Sequence, residues 1–223
     1  MAKESKENLQ QEKLKETVSK TEQFFTEHKK CIYGTVIAIL VIGLGALAYN
    51  QWVLKPKQAE GMEQMFPAEN SFAAGEYELA LNGDGNVLGF NDIIDEFGTK
   101  AGKSVYFYAG VCNLQLGNND EAIKNLKKYK SKDNILAARA LACIGDAYTN
   151  LEDYQTAVSY FEKAADKSAN LFSAEYLLKA GIAYEALEQS DKALACYKTI
   201  KDQYPQSVEG YDIDKYISRI ENK

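Results

Sequence analysis

The stretch Gly98-Thr99-Lys100-Ala101-Gly102-Lys103-Ser104 comes closest in this chain to a nucleotide-binding motif. A phosphate-binding loop needs four residues between its glycines, so that successive backbone N–H groups surround the phosphates. Here three residues separate Gly98 from Gly102, and the stretch follows a helical pattern instead of a strand. We therefore predict a turn that leads into the next helix, and no nucleotide site.

A second polar stretch places Asn82, Asp84 and Asn86 at alternate positions, as in loops that supply oxygen ligands to calcium. Such loops also need a turn glycine and a bidentate acid at fixed positions. Val87 and Ile93 occupy those positions here. The stretch is better explained as a solvated turn.

Side chains for nucleophilic or metal-assisted chemistry are sparse. His28, the single histidine, lies next to Lys29 at the edge of the apolar run, with no partner histidine and no nucleophile arrangement nearby. No Ser-His-Asp, Cys-His or metal-ligand set can therefore be assembled, and only a carboxylate-only site stays open. The cysteines have no metal-ligand spacing, and all but the first fall in helical patterns typical of buried free thiols; they are Cys31, Cys112, Cys143 and Cys196. A disulfide among them remains open. We predict that the protein is not an enzyme and uses no cofactor or metal.

Length and charge limit the class of protein further. A chain of 223 residues with 46% hydrophobic residues can form one or two packed domains. Its net charge is −6, and the acidic excess lies beyond residue 58. An acidic surface repels phosphate backbones, so we expect no nucleic-acid partner. We also expect no small-molecule substrate.

The elements begin with an uncharged run at residues 31–54, bounded by Lys29 and Lys30 before it and by Lys55 and Lys57 after it. Its apolar centre is long enough for a spanning helix, and Tyr33, Tyr49 and Trp52 lie where aromatic side chains favour the headgroup boundary. The run predicts a single transmembrane helix.

Lysines near the run predict its orientation. Lys15, Lys20, Lys29 and Lys30 precede it, against Lys55 and Lys57 after it. Segments rich in lysine and arginine next to a transmembrane helix stay on the cytoplasmic side. We therefore predict an inner-membrane protein with a cytoplasmic arm and a periplasmic body. The alternative is a signal peptide cleaved after Ala46-Leu47-Ala48, but the apolar run continues to Leu54.

Small and bulky residues recur beyond residue 102. Gly145, Tyr148, Ala157 and Phe161 recur 36 residues later as Gly181, Tyr184, Ala193 and Tyr197, and a weaker copy lies 35 residues upstream at Gly110, Ala122 and Leu126. Small residues let two helices approach closely while large ones fill the remaining volume. This period is typical of stacked helix pairs.

The pattern resembles the tetratricopeptide repeat family from Lys103 to Pro205, although Asn113 stands where the family prefers tyrosine. The resemblance implies an all-α fold, an α-solenoid of repeat helix pairs preceded by a single transmembrane helix. The predicted segments are a cytoplasmic arm (1–30), the transmembrane helix (31–54), a linker with a degenerate pair of helices at 72–81 and 90–97 (55–102), three repeats (103–205) and a C-terminal capping helix (206–223).

In this family the first helix of each pair lines a concave peptide-binding groove. Carried onto this sequence, the resemblance predicts groove residues Phe107, Val111, Leu114, Arg139, Asp146, Thr149, Leu178, Ile182 and Glu185. Their character is apolar and acidic, which suits an extended or helical peptide, including a basic one. For Phe107, Val111 and Leu178, packing against neighbouring helices is an equal alternative.

The layout of arm, single span and repeats is also similar to the membrane-anchored ancillary subunit of the bacterial Sec translocon. That resemblance implies non-catalytic binding of proteins in the periplasm, with Sec translocon subunits and periplasmic chaperones as partners. Two alternatives stay open. One is a general scaffold for envelope assembly or cell division, and the other is a secreted peptide-binding module released by signal cleavage.

Overall fold

The computed structural model describes residue 26 and residues 28–222 of the chain, and these residues form helices and no strand. The chain divides into two compact units, Met1–Pro56 and Lys57–Lys223. The predicted arm, residues 1–30, lies almost entirely outside the described part of the chain.

The first unit contains helix α1 (residues 28–49) and a π-helical turn, Asn50–Leu54. An 18-residue window of this region has a mean hydropathy of 2.4 and none of its residues is buried. Ile42 and Trp52 are 71% and 78% exposed, respectively. By length and composition, this is a helix that could cross a membrane.

Helices continue through the second unit. Their bounds are α2 (Lys55–Ala73), α3 (Tyr77–Asn82), α4 (Phe90–Glu96), α5 (Ser104–Gln115), α6 (Asn119–Lys128), α7 (Asn134–Asn150), α8 (Tyr154–Ser168), α9 (Ser173–Ala186), α10 (Ser190–Gln203) and α11 (Val208–Glu221). Successive helices from α5 to α11 pack against one another, and α5 also contacts α7. This order of contacts is that of stacked antiparallel helix pairs.

The three helix pairs are α5 with α6, α7 with α8, and α9 with α10, and each pair packs closely at one glycine of its first helix. A methyl group added there would lie 2.6 Å from Leu126 Cγ at Gly110, 2.5 Å from Phe161 Cε1 at Gly145, and 2.2 Å from Tyr197 Cε1 at Gly181. No side chain fits at these distances. The recurring glycine is therefore required for the approach of the two helices.

Each first helix ends in the same way, with a residue in the left-handed conformation. Gly117, Glu152 and Glu188 have φ values of 79°, 60° and 58°. In the second pair the Asp153 N–H donates to Tyr148 O over 2.9 Å, and the Glu152 N–H donates to Thr149 O over 3.0 Å. These two bonds satisfy carbonyls that the helix end leaves without partners. The turn holds its shape even though glutamate replaces glycine in two copies.

Asn113 occupies the position where tyrosine is usual, and it is buried. Its amide nitrogen donates to Ala109 O over 2.8 Å, and its Oδ1 accepts from Asn118 Nδ2 over 3.3 Å. A buried polar side chain is tolerated when such bonds replace those to water. The first repeat therefore keeps its packing without the aromatic residue.

The region before the repeats differs from the predicted helix at 72–81. Helix α2 ends at Ala73 and α3 begins at Tyr77. Gly75 has a φ of 80°, and the Glu76 N–H donates to Ser71 O over 2.9 Å, closing a glycine-terminated helix end. Helices α2, α3, α4 and α5 share one buried core around Phe90 and Ile93.

The two stretches with partial phosphate- and calcium-binding patterns form a short 3-10 helix and a turn. Residues Gly98–Ala101 form a 3-10 helix before α5. Asp84 Oδ1 accepts the N–H groups of Asn86 and Val87, each over 2.9 Å. The hydrogen bonds from Val87 and then Asn86 lower the pKa of Asp84. This carboxylate therefore stabilises the turn in which it lies.

Gly145→Ala is expected to destabilise the protein by about 1–3 kcal/mol, because the added methyl group overlaps the Phe161 ring in a close-packed core. Phe161→Val removes most of that ring, so the cost of Gly145→Ala should fall in the Phe161→Val background. Urea unfolding of this double-mutant cycle, followed by circular dichroism, measures the difference. Equal costs in the two backgrounds would contradict the role given to the ring.

Candidate peptide-binding groove

A groove of about 550 Å³ runs along the first helices of the three pairs. Helix α5 contributes Phe107, Tyr108, Val111, Leu114 and Gln115; α7 contributes Ile135, Leu136, Arg139, Ala142, Cys143 and Asp146; and α9 contributes Glu175, Tyr176 and Lys179. Phe72, at the end of α2, and Phe172, just before α9, complete the lining. The stacking of the pairs brings these helices side by side, since α5 contacts α7 directly.

The groove presents apolar side chains that no helix covers. Ile135, Leu136 and Phe172 are 43%, 44% and 54% exposed. All three lie at or just before the start of a first helix, on the groove side. Exposed apolar groups grouped in a concave surface are typical of a protein or peptide contact.

Aromatic rings hold one end of the groove in place. The centre of the Tyr108 ring lies 5.0 Å from the centre of the Phe72 ring and 5.3 Å from that of the Phe90 ring, on which it stacks. The Phe107 ring lies 5.3 Å from that of Tyr129. Because each of these rings contacts another, this wall keeps its shape without a ligand.

A charged cluster crosses the groove between the second and third repeats. Lys179 Nζ lies 2.9 Å from Asp146 Oδ2 and 3.3 Å from Glu175 Oε1. The ammonium also lies 6.0 Å from the centre of the Phe161 ring. Lys179 therefore joins the groove surface to the aromatic core of the second pair.

Burial raises the pKa of Asp146, and the ion pair with Lys179 offsets only part of this effect. For Lys179, burial acts to lower the pKa, but Asp146 and Glu175 together outweigh it and raise the pKa. The lysine is therefore charged at neutral pH and balances one of the two negative charges beside it. The groove is less acidic than the sequence indicated.

Arg139 supplies a positive charge that is not neutralised in this way. Its side chain is exposed in the groove, and no ion pair joins it to any carboxylate in the described part of the chain. A guanidinium in this position can bind a carboxylate or a backbone carbonyl of a ligand.

Five of the nine predicted groove residues line this groove: Phe107, Val111, Leu114, Arg139 and Asp146. The structure brings them together from α5 and α7, although 28 residues separate Val111 from Arg139 in sequence. In α5 all three predicted residues line the groove, and in α7 two of the three do.

The other four predicted residues are not in the lining. Thr149 donates its hydroxyl to Gly145 O over 3.0 Å, within its own helix. Leu178 packs against the core of the second and third pairs, whereas Ile182 is 46% exposed beyond the groove. Glu185 accepts a hydrogen bond of 2.6 Å from the Tyr197 hydroxyl and another from Arg219.

In α9 the lining consists of Glu175, which the repeat pattern also places in the groove, and of Tyr176 and Lys179, with Phe172 before them. These residues lie at i, i+3, i+4 and i+7, the spacing of one helical face. The predicted residues Leu178, Ile182 and Glu185 follow Glu175 at steps of three, four and three residues. They lie on a neighbouring face of α9, where Leu178 packs against the core and Ile182 lies beyond the groove. The regular spacing of the four lining residues could have identified the face.

Cys143 is the one cysteine that reaches the groove. All four cysteines are free thiols. Burial raises the pKa of Cys143 to about 11, and that of buried Cys112 to about 12. Both thiols are therefore protonated and weakly nucleophilic at neutral pH.

No group of three or more His, Cys, Asp or Glu side chains is placed to hold a metal ion within residues 26 and 28–222. The charges of the groove are instead arranged as one paired cluster and one separate guanidinium. This arrangement is suited to holding a polar backbone and a few side chains.

Models of the tetratricopeptide repeat match the sequence over residues 104–133, 138–166 and 175–207. The chain therefore contains tetratricopeptide repeats, and the predicted α-helical solenoid is confirmed. Repeats of this kind are protein interaction modules, and proteins built from them are typically non-catalytic scaffolds. The groove lies on the first helices of these repeats.

Solved structures of similar fold include two described as crystal structures of MamA. One has 18% sequence identity and a TM-score of 0.52, and the match covers 70% of this chain and 92% of that chain. The other has 17% identity and a TM-score of 0.56, and covers 74% and 83%. At this identity the likeness shows the fold alone. No curated protein matches the chain in sequence.

Lys179→Gln is expected to lower the free energy of unfolding by about 1–2 kcal/mol at neutral pH, because a half-buried carboxylate loses its charged partner. Without Lys179 the pKa of Asp146 should rise further, so the folded state binds a proton more tightly than the unfolded chain does. The cost should therefore shrink as the pH falls through that raised pKa. The charge of Lys179, whose own pKa is raised, persists until the alkaline range.

Urea unfolding of wild type and variant at neutral and acidic pH measures this dependence. Lys192→Gln is the matched control, since Lys192 lies over the Tyr184 ring, at 5.4 Å, and has no carboxylate partner in the described residues. A cost that is the same at both pH values would contradict the ionised state assigned to Asp146.

Proposed function

We propose that this chain is a membrane-anchored scaffold whose groove binds an extended or helical segment of a partner protein and carries out no catalysis. The observation that supports this most directly is the groove itself. It combines exposed apolar side chains from Ile135, Leu136 and Phe172 with a rigid aromatic wall and a separate guanidinium at Arg139.

The groove chemistry indicates the kind of segment it accepts. Apolar side chains of the ligand would contact the exposed residues at the starts of α7 and α9, and its backbone carbonyls or a carboxylate would bind Arg139. Lys179 already neutralises Asp146, which removes the attraction for a basic peptide that the sequence implied. A ligand rich in apolar side chains with at most a single acidic group fits this surface best.

The membrane anchor is supported by α1, whose side chains are exposed and apolar over a length sufficient to span. Lysines at positions 29, 30, 55 and 57 bound the apolar run. Lys15, Lys20, Lys29 and Lys30 before the run outnumber Lys55 and Lys57 after it, which favours a cytoplasmic N-terminus and a periplasmic groove in an inner membrane.

A place beside the secretion channel is the most specific form of this proposal. Its support is the order of short arm, single span and repeat domain, which is that of the ancillary subunit of the bacterial Sec translocon. Partners there would be channel subunits and periplasmic chaperones. A scaffold for envelope assembly or division would use the same groove, and the crosslinked partner distinguishes the two.

Site-specific crosslinking tests the groove in living cells. A photoreactive residue at Leu136 should capture a partner, whereas one at Gln155, an exposed position of α8 outside the groove lining, should not. Ile135→Ser with Phe172→Ser should reduce capture at Leu136 about tenfold or more, since each exposed apolar side chain contributes ~1 kcal/mol on burial. Equal capture at both positions, or capture unaffected by the two serines, would contradict the proposal.

Alkaline carbonate extraction and N-terminal sequencing test the anchor. The full chain should stay with the membrane, and its first residues should be those of the arm, because the apolar run is expected to remain attached. A mature chain beginning at Tyr49 would instead establish the secreted alternative. Protease digestion of intact spheroplasts should degrade the repeats if they face the periplasm, and protection of the repeats would reverse the orientation.

A further inference from the structure

A second concave surface lies between α6, α7 and α8 and does not belong to the groove. This cleft of about 540 Å³ has Lys127, Lys130 and Lys163 around it and Tyr129 and Tyr160 among its walls. We call it the basic cleft. Its floor is apolar, formed by Ala140, Leu141 and Ile144 of α7. A volume of this size lies within the ~300–1,000 Å³ range of ligand sites.

The charge of the basic cleft is opposite to that of the chain. The net charge of the whole protein is −6, yet the residues that line the cleft include three lysines and no carboxylate. In the described part of the chain, none of these lysines forms an ion pair, whereas Lys124, Lys179, Lys198, Lys201 and Lys215 all do. The positive charge of the cleft is therefore not neutralised within the described protein.

Two of these lysines contact aromatic rings. Lys127 Nζ lies 5.6 Å from the centre of the Tyr148 ring and 3.2 Å from the oxygen of the Tyr148 hydroxyl, which accepts its hydrogen bond. That bond raises the pKa of Lys127. Lys163 Nζ lies 5.1 Å from the centre of the Tyr160 ring, and the Tyr148 and Tyr160 rings stack at 5.5 Å.

An ammonium group has three donors, so the bond to Tyr148 leaves Lys127 able to bind a further acceptor. Contacts with the rings also reduce the freedom that each lysine loses when it binds a ligand. The basic cleft thus offers positioned cations above an apolar floor. A ligand that carries both carboxylates and apolar side chains would complement this surface.

We propose that the basic cleft binds an acidic peptide segment of a partner protein, with carboxylates on Lys127 and Lys163 and an apolar side chain on Leu141 and Ile144. A polynucleotide is disfavoured, because the net charge of the whole protein, −6, repels an extended polyanion. A lipid surface is flat, and it would leave the apolar floor of a cleft unfilled. The acidic segment satisfies both the charge and the shape.

The test uses the full chain in nanodiscs of neutral lipid and a fluorescein-labelled peptide of glutamates flanking a central Leu-Phe pair. Fluorescence anisotropy should report binding that weakens as salt is added. Lys127→Gln with Lys163→Gln should raise the Kd about tenfold, since the two exposed charge pairs that are removed are together worth about tenfold. The same peptide with glutamine for glutamate should bind no better to wild type than to this variant.

Lys192→Gln with Lys215→Gln is the matched control. Both lysines lie over tyrosine rings, at 5.4 Å and 5.2 Å, and the pair removes the same charge outside the basic cleft. Its Kd should stay within about twofold of wild type. The groove variant Ile135→Ser with Phe172→Ser should also bind normally, which separates this proposal from that of the groove.

Three results would overturn the inference. The first is an unchanged Kd in the Lys127→Gln, Lys163→Gln protein with its circular dichroism spectrum intact. The second is equal binding of the glutamate and glutamine peptides by wild type. The third is equally effective competition by single-stranded DNA, or by vesicles of anionic lipid, matched in charge to the peptide, since either would indicate a general attraction for anions.

Discussion

The close approach of the two helices in each pair is the constraint on which the other features depend. Gly145 allows the Phe161 ring to lie where a side chain would otherwise stand, and Gly181 does the same for Tyr197. Each second helix is thereby held against one face of its first helix. The opposite face of every first helix stays uncovered by its own partner, and the stacking of pairs joins these faces into a groove.

The fold could be predicted because this contact is local and recurs. A glycine on one helix and a bulky residue about 16 positions later on the next meet within a single hairpin, so their spacing in sequence records the contact. Three copies in register made the signal specific. The broken helix near Gly75 was missed because one glycine in a helical pattern can be either tolerated or terminal, and only the hydrogen bonds of the helix end distinguish the two.

The groove was predicted less completely, for two physical reasons. Asp146 and Lys179 are 33 residues apart and belong to different repeats, so their pairing depends on how repeats stack and not on spacing within a helix. In α9, Leu178 and Lys179 are adjacent in sequence but lie on different faces, one towards the core and one towards the groove. A register step of a single residue therefore decides which side chain a ligand would meet.

Helix α7 connects the two candidate binding surfaces. Arg139 and Asp146 face the groove, whereas Ala140 and Ile144 form the floor of the basic cleft. Ala138 and Ala142, the latter part of the groove lining, are buried, and their small side chains let neighbouring helices pack tightly on α7. A close-packed interior resists compression, so α7 could shift towards a ligand on one face only by withdrawing from the other. The same alanines that allow dense stacking thus leave one helix shared between the two candidate binding surfaces.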